Sequence, residues 1–169
     1  TPYLPEGLKL RGDEWAGEVQ TPLLGAAVTE ATAEAVGAWT DGLLTVSAEP
    51  EQMRKVIEAF RRGGGAGKRL VVQVGLNWAP TEAEALAGAH EQWRTNVIGG
   101  EVNWELRTPE EFDTATRFVR PDDMRQFVWI SADLGWHAAR IAELAELGFD
   151  EIQLHQVGRN QQAFIDAFG

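Results

Sequence analysis

Thr29 closes the stretch Pro22-Leu23-Leu24-Gly25-Ala26-Ala27-Val28-Thr29, and an alanine-rich segment follows it from Glu30. A threonine hydroxyl at that junction accepts from the free N–H groups of a first helical turn. The same free N–H groups, at the positive end of the helix, favour an anion. In parallel α/β folds ligands collect where strand C-termini feed helix N-termini, so Thr29 marks either a ligand site or an ordinary capped helix. His155 sits in Glu-Ile-Gln-Leu-His-Gln-Val (151 to 157), where Gln153, His155 and Val157 share one face of an extended segment. A histidine at the end of such a strand either lines a substrate pocket, as acid or base, or packs structurally. Asn77-Trp78 follows another apolar run; Trp78 there either roofs a ligand or covers the core edge.

Other candidates fall away. Gly63-Gly64-Gly65-Ala66-Gly67-Lys68 is rich in glycine, yet Arg69 stands where a phosphate loop needs Ser or Thr, and the cluster follows a helix instead of preceding one. It reads as a linker. His90 and His137 fall on helical segments as packing or surface residues, and no His/carboxylate spacing suits a metal. The absence of cysteine removes disulfides, thiolate metal sites and thiol nucleophiles. A net charge of −11 opposes binding to nucleic-acid phosphates or anionic membranes. No apolar run approaches the roughly 18 residues of a membrane span, and no segment reads as a signal peptide, so the expected location is cytoplasmic.

The elements that must position these residues follow from periodicity. Leu23–Val28 predicts a strand, Glu30–Trp39 a helix, Asp41-Gly42 a turn and Leu43–Val46 a second strand. Ser47 or Glu49 is expected to cap a helix with Pro50 near its start, and Met53, Val56, Ile57 and Phe60 give it one apolar stripe. Leu70–Leu76 predicts a third strand. Thr81-Glu82-Ala83-Glu84 reads as a capping box opening a helix from about 82 to 97, and Thr108-Pro109-Glu110-Glu111 opens a shorter one. Phe127–Ile130 is a short extended piece, Asp133 caps a helix that Gly148 stops, Glu151–Val157 is the last strand and Gln161–Phe168 a terminal helix. Residues 1–21 form a lead-in with no clean period, in which Leu8, Leu10 and Trp15 fit an edge strand or a loop. Strands alternating with helices imply an α/β fold of parallel βα units, with right-handed crossovers.

The succession Leu-Gly-Ala-Ala-Val-Thr, then Asp-Gly-Leu-Leu-Thr-Val, resembles the second half of the bacterial luciferase-like monooxygenase superfamily, in its deazaflavin- and flavin-dependent oxidoreductase branch. Ala-Pro-Thr-Glu-Ala-Glu-Ala-Leu (79 to 86), Phe-Val-Arg-Pro-Asp-Asp (118 to 123) and Leu-Gly-Phe-Asp-Glu-Ile-Gln-Leu-His (147 to 155) extend it over residues 22–169. The resemblance implies the C-terminal half of a (β/α)8 TIM barrel, with an insertion at about 99–131 between its last two strands; whole barrels take ~250 residues. It implies a cofactor, FMN or a deazaflavin, whose phosphate is held by Ala27, Val28, Thr29 and Thr32, with Val46 and Ser47 lining the same pocket. It places Asn77, Trp78 and Gln153 at a small-molecule substrate pocket and offers His155 as the catalytic candidate. Half a barrel leaves two open edges and a bare face, so the expected partner is a second copy or the other, N-terminal half-barrel. The activity implied is hydride or redox chemistry on a small organic substrate; the alternative is a non-catalytic half-barrel that serves as a scaffold or self-association unit.

Overall fold

A computed structural model describes residues 22–169; the expected lead-in of residues 1–21 lies outside the described residues. The elements in order are β1 (Leu24–Ala26), α1 (Glu30–Gly37), β2 (Gly42–Val46), α2 (Pro50–Phe60), β3 (Arg69–Asn77), α3 (Glu82–Trp93), α4 (Gly100–Glu105), α5 (Pro109–Thr116), β4 (Trp129–Ile130), α6 (Leu134–Glu146), β5 (Glu151–Gln156) and α7 (Gln161–Phe168). All strand pairs are parallel. β1 pairs β2, β2 pairs β3, and β3 pairs both β4 and β5.

Register fixes how the short β4 fits. Val71–Gln73 pair β2 and β5 together, so those two strands hold opposite edges of β3. Leu76 pairs Trp129 of β4 and Gln156 of β5, so β4 shares the edge of β2. β2 ends at Val46, opposite Gln73, and β4 takes up the edge three residues further on. The expected extended piece Phe127–Ile130 is therefore a two-residue strand that completes β3's hydrogen bonding.

Alternation sorts the two faces of the sheet. Leu43, Leu70, Val72 and Val74 join Met53, Val56, Ile57, Phe60 and Leu144 in one core cluster, with Ile152 and Leu154 against it. The helices α1, α2 and α6 cover that side. Leu24, Ala26, Leu44, Val46, Val71, Gln73, Gly75, Gln153 and His155 fall on the opposite, inner face. A second cluster, with Ala85, Ala89, Met124, Val128, Ile130 and Val157, packs the insertion across the C-terminal rim.

Several boundaries differ from expectation for local reasons. The first strand is shorter than Leu23–Val28, with Val28 turned out to solvent. Glu49, not Ser47, stands at the start of α2, and its side chain makes no cap hydrogen bond. The helix expected over 82–97 divides at Trp93, whose φ of −126° leaves the helical region, and a 3-10 segment Arg94–Val97 follows. At Thr81 the hydroxyl accepts from the Glu84 N–H but donates to the Glu84 carboxylate, so the reciprocal half of the box is replaced by a side-chain bond. The box at Thr108 and Glu111 forms completely.

The glycine cluster does more than link. The chain continues α2 as one wide turn, Arg61–Gly65, in which Gly64 adopts a φ of 103°. A Cβ on Gly63 would stand 1.9 Å from the Glu34 carbonyl oxygen, and one on Gly37 would stand 2.4 Å from the Phe60 carbonyl oxygen. Backbone packs directly on backbone here, bringing α1 against the end of α2. Gly63→Ala is expected to destabilise the fold by about 3 kcal/mol, as overpacking against rigid backbone does. Gly100→Ala, where a Cβ meets nothing within 4 Å among the described residues, should stay within about 0.5 kcal/mol of the parent. Urea unfolding midpoints compare the two.

Candidate functional site

The C-terminal rim of the sheet gathers most of the singled-out residues. At the end of β1 the Ala27 N–H donates to the Leu44 carbonyl at 3.0 Å, which keeps the two chains in step for one residue beyond the strand. Thr29 then caps α1: its hydroxyl oxygen accepts from the Thr32 N–H at 3.3 Å, and its O–H donates to the Thr32 hydroxyl at 3.0 Å. Both threonines are exposed. The N–H groups of Glu30 and Ala31 lie in the first turn, which has no preceding helical carbonyls to take them. Two hydroxyls and an open helix end thus face solvent together, beside the exposed Glu30 carboxylate. Of the four positions assigned to phosphate, Ala27 cannot offer its amide, because Leu44 already holds it.

Val46, 48% exposed, ends β2 on the inner face next to this turn. Ser47 donates its N–H to the Gln73 carbonyl at 2.9 Å. Its side chain lies at the edge of a cleft of about 970 Å3 that opens between α2 and α6, on the helix side of the sheet. Four arginines in that cleft (Arg54, Arg61, Arg125, Arg140) face four glutamates (Glu49, Glu58, Glu143, Glu146), so the cleft carries no net attraction for an anion.

Asn77 and Trp78 end β3 in a network of amides. Asn77 is 1% exposed. Its Oδ1 accepts from Gln156 Nε2 at 2.8 Å and from the Gly158 N–H at 2.9 Å, and its Nδ2 donates to the Ala85 carbonyl at 2.5 Å. Gln156 Oε1 accepts from the Trp78 N–H at 3.0 Å, while Asn160 donates to the Trp78 carbonyl at 2.9 Å. Every polar group on the Asn77 side chain is spent tying β3 to β5 and α3. Trp78 is half-buried, its indole N–H donating to the Ala132 carbonyl at 3.0 Å and its ring edge-on to Phe168. It covers the rim between β3 and the start of α6.

His155 and Gln153 occupy β5 on the inner face. Gln153 is exposed and donates to Glu151 at 2.8 Å. His155 is half-buried, with Nδ1 3.3 Å from Gln73 Nε2, and its ring meets the edge of Trp93 with centroids 4.9 Å apart and planes at 84°. Trp93 ends α3, so the C-terminal end of that helix reaches over the inner face. Gly75, which pairs His155, would carry a Cβ with nothing within 4 Å among the described residues. Among the described residues the floor beside His155 is open. Gln73, Gly75 and Trp93 were not apparent from sequence. Alternation alone puts Gln73 and Gly75 opposite Leu70, Val72 and Val74, but only the β3–β5 register brings them to His155.

Among the shifted ionisable groups, two meet the turn at Ser131. Glu82 accepts from the Ala132 N–H and the Ser131 hydroxyl, each at 2.8 Å, and these bonds, with Arg125 nearby, hold its pKa below the usual carboxylate value. His137 is fully buried, and burial pushes its pKa below the usual imidazole value. Its Nε2 donates to the Ser131 carbonyl at 3.1 Å, so Nδ1 carries no proton, and it has no partner among the described residues.

The profile of the luciferase-like monooxygenase family matches residues 6–151. Among solved structures the chain is similar to an F420-dependent secondary alcohol dehydrogenase in complex with an F420–acetone adduct, at 18% identity and a TM-score of 0.73, over 89% of this chain and 48% of that one. It is similar to the coenzyme F420-dependent tetrahydromethanopterin reductase from Methanopyrus kandleri at 17% identity and a TM-score of 0.64, over 86% of this chain and 48% of that one. DmoA from Hyphomicrobium sulfonivorans follows at 14% identity and a TM-score of 0.53, over 85% and 39%. No curated protein sequence matches. These neighbours are TIM barrels of which the chain spans about half, so its parallel βα units make up about half of such a barrel. No helix among the described residues is long and apolar enough to cross a membrane.

Asn77→Ala removes the acceptor of the buried Gly158 N–H and is expected to cost about 2 kcal/mol, with faster hydrogen exchange at the Gly158 amide. His137 binds a proton more readily in the unfolded chain than in the folded one. Stability resting on neutral His137 is therefore full above about pH 6.5 and is lost as pH falls from there toward the depressed folded-state value. Urea midpoints at pH 7.5 and 5.5 should separate more for the parent than for His137→Gln.

Proposed function

The chain belongs to the luciferase-like monooxygenase family, and from that premise we propose that it is the phosphate-anchoring half of an oxidoreductase that uses a deazaflavin of the coenzyme F420 type. The preference for a deazaflavin over FMN rests on the two F420-dependent enzymes among its structural neighbours. The observation that carries the anchoring role is the β1–α1 turn. Its two exposed hydroxyls, 3.0 Å apart, flank open first-turn N–H groups at the rim of the inner face.

The residues present fit the phosphate end of such a cofactor. Thr32 offers a hydroxyl donor, oriented by the Thr29 O–H that donates to it, Val28 to Ala31 offer main-chain N–H groups, and the helix end supplies the favourable field. Glu30 opposes it, as a carboxylate in the same turn. The ring system would lie over the inner face, where Val46 and Leu44 give apolar contact and Gly75 leaves the floor open beside His155. When bound, the cofactor supplies the hydride chemistry and the protein positions it and keeps water away. His155 is then the polar side chain of this half best placed to meet a reacting group, with the exposed Gln153 one pair of residues below it. The other walls of the site belong to four further βα units, from a longer polypeptide or a second copy; the outer edges of β1 and β5 have no strand partner among the described residues to do that work.

Binding tests the reading directly. Fluorescence titration with coenzyme F420 and with FMN should give binding of the deazaflavin, and Thr29→Ala/Thr32→Ala should weaken it about 10- to 100-fold, the loss of one hydrogen bond to a charged group and of the hydroxyl that orients it. Glu30→Gln should tighten it by about two- to fivefold at low salt. Equal affinity for the parent and the double threonine variant would remove the anchor from this turn.

A further inference from the structure

We propose that Gln73 and Trp93 orient the His155 imidazole with Nδ1 as acceptor and the ring proton on Nε2, which makes the inner face a hydrogen-bond donor to a carbonyl oxygen. The geometry has three parts. First, the β3–β5 register puts Gln73 opposite Gln153 and Gly75 opposite His155, so Gln73 and His155 are diagonal neighbours on the inner face, within reach of a long side chain. Second, Gln73 Nε2 lies 3.3 Å from His155 Nδ1. An amide nitrogen only donates, so Nδ1 must accept and the ring proton of the neutral form is on Nε2. Third, the Trp93 edge meets the ring at 84° with centroids 4.9 Å apart, an edge-to-face contact that fixes the imidazole plane.

His155 Nε2 has no hydrogen-bond partner among the described residues, in contrast to His90 and His137, whose Nε2 atoms each meet a main-chain carbonyl. The two helical histidines spend their donors on the fold. His155 has its acceptor nitrogen satisfied and keeps its donor, on the face where Gly75 leaves open space. A fixed Nε2–H beside an open floor suits a carbonyl oxygen, which accepts along its lone pairs. The oxygen has two sources: a carbonyl on the deazaflavin ring or the carbonyl of a ketone substrate. Gln73 and Trp93 act through His155 and are positioning residues. The assignment of a ligand to this donor rests on the cofactor reading given above; the tautomer does not.

Long-range 1H–15N correlation spectra of the imidazole nitrogens read the tautomer without any ligand. The parent should show an unprotonated Nδ1 and a protonated Nε2 at His155. Gln73→Glu replaces the donor by an acceptor of the same size and should move the proton to Nδ1, and Trp93→Leu should leave the tautomer but broaden the signals as the ring gains freedom. A proton on Nδ1 in the parent, or a Gln73→Glu spectrum like the parent's, overturns the positioning role. Coenzyme F420 and cyclohexanone are then added, separately and together. A shift of the Nε2–H signal with F420 alone assigns the ring carbonyl, and a shift that needs cyclohexanone assigns the substrate carbonyl. No shift with either probe overturns the donor role. The amides of Thr29 to Thr32 report F420 binding in the same sample, so failure of the cofactor reading is seen there and is distinct from failure at His155. Gln73→Glu should weaken whichever carbonyl ligand is found by about tenfold, the loss of one hydrogen bond.

Discussion

A strand that is paired on both edges must keep its partners for its whole length, or leave buried N–H and C=O groups without them. β3 is nine residues long and takes part in three of the four strand pairings among the described residues. Its partner β2 has five residues and stops opposite Gln73. The last turn of β3's edge therefore needs another strand, and the chain provides it only after a long excursion, with Trp129 and Ile130 returning to pair Leu76 and Asn77. That requirement ties the insertion to the rim. The α3 helix is pulled across the sheet end, Glu82 is fixed to Ser131 and Ala132, and Asn77 is closed into its amide network.

Local signals in the sequence carried the parts of the fold that depend on local physics. Thr29, Thr108 and Asp133 each accept from an N–H of the helix they open, as their types and positions implied. The apolar stripe of Met53, Val56, Ile57 and Phe60 is buried against the sheet, and Gly148 stops α6 with a φ of 91°. The parallel βα order followed from these elements, and with it the half-barrel. What the sequence did not show depends on contacts between distant segments. Asn77 looked like a rim residue free to meet a ligand; only Gln156, Gly158 and Ala85, between 8 and 81 positions away, show that its amide is spent. Gly63 looked like a linker residue, because nothing near it in sequence announces the Glu34 carbonyl that a side chain would strike. The break of α3 at Trp93 has no glycine or proline to mark it. It coincides with the residue whose ring is held against His155.

The candidate site divides in the same way. Thr29 and Thr32 are three positions apart on one turn, so their joint exposure was legible. His155 was legible as a strand residue on the face away from Ile152 and Leu154, but its two neighbours were not, since Gln73 and Trp93 come from β3 and α3 and meet it only through the register of the sheet and the path of the insertion. A histidine's usefulness is decided by what holds its other nitrogen, and that partner was invisible until the strands were aligned.

The two sides of the sheet also differ in what they require. On the helix side Ala33, Leu43, Ala59, Phe60, Val72 and Val74 are wholly buried by this chain's own helices, so that layer is complete in itself. On the inner face Val46 is 48% exposed, and Ala26 and Gln153 are open as well. The face is graded: aliphatic beneath the Thr29 turn, where β1, β2 and β3 contribute Leu24, Ala26, Leu44, Val46 and Val71, and polar toward β5, where Gln73, Gln153 and His155 meet. A uniformly apolar face would serve only to be buried against another layer. A surface that runs from an open helix end, over aliphatic side chains, to an imidazole held by an amide and an indole has the polarity sequence of an elongated ligand with an anionic tail, an aromatic body and a polar reacting edge. The grading supports the proposed reading of a bound small molecule over that of a face whose sole purpose is to meet another protein surface.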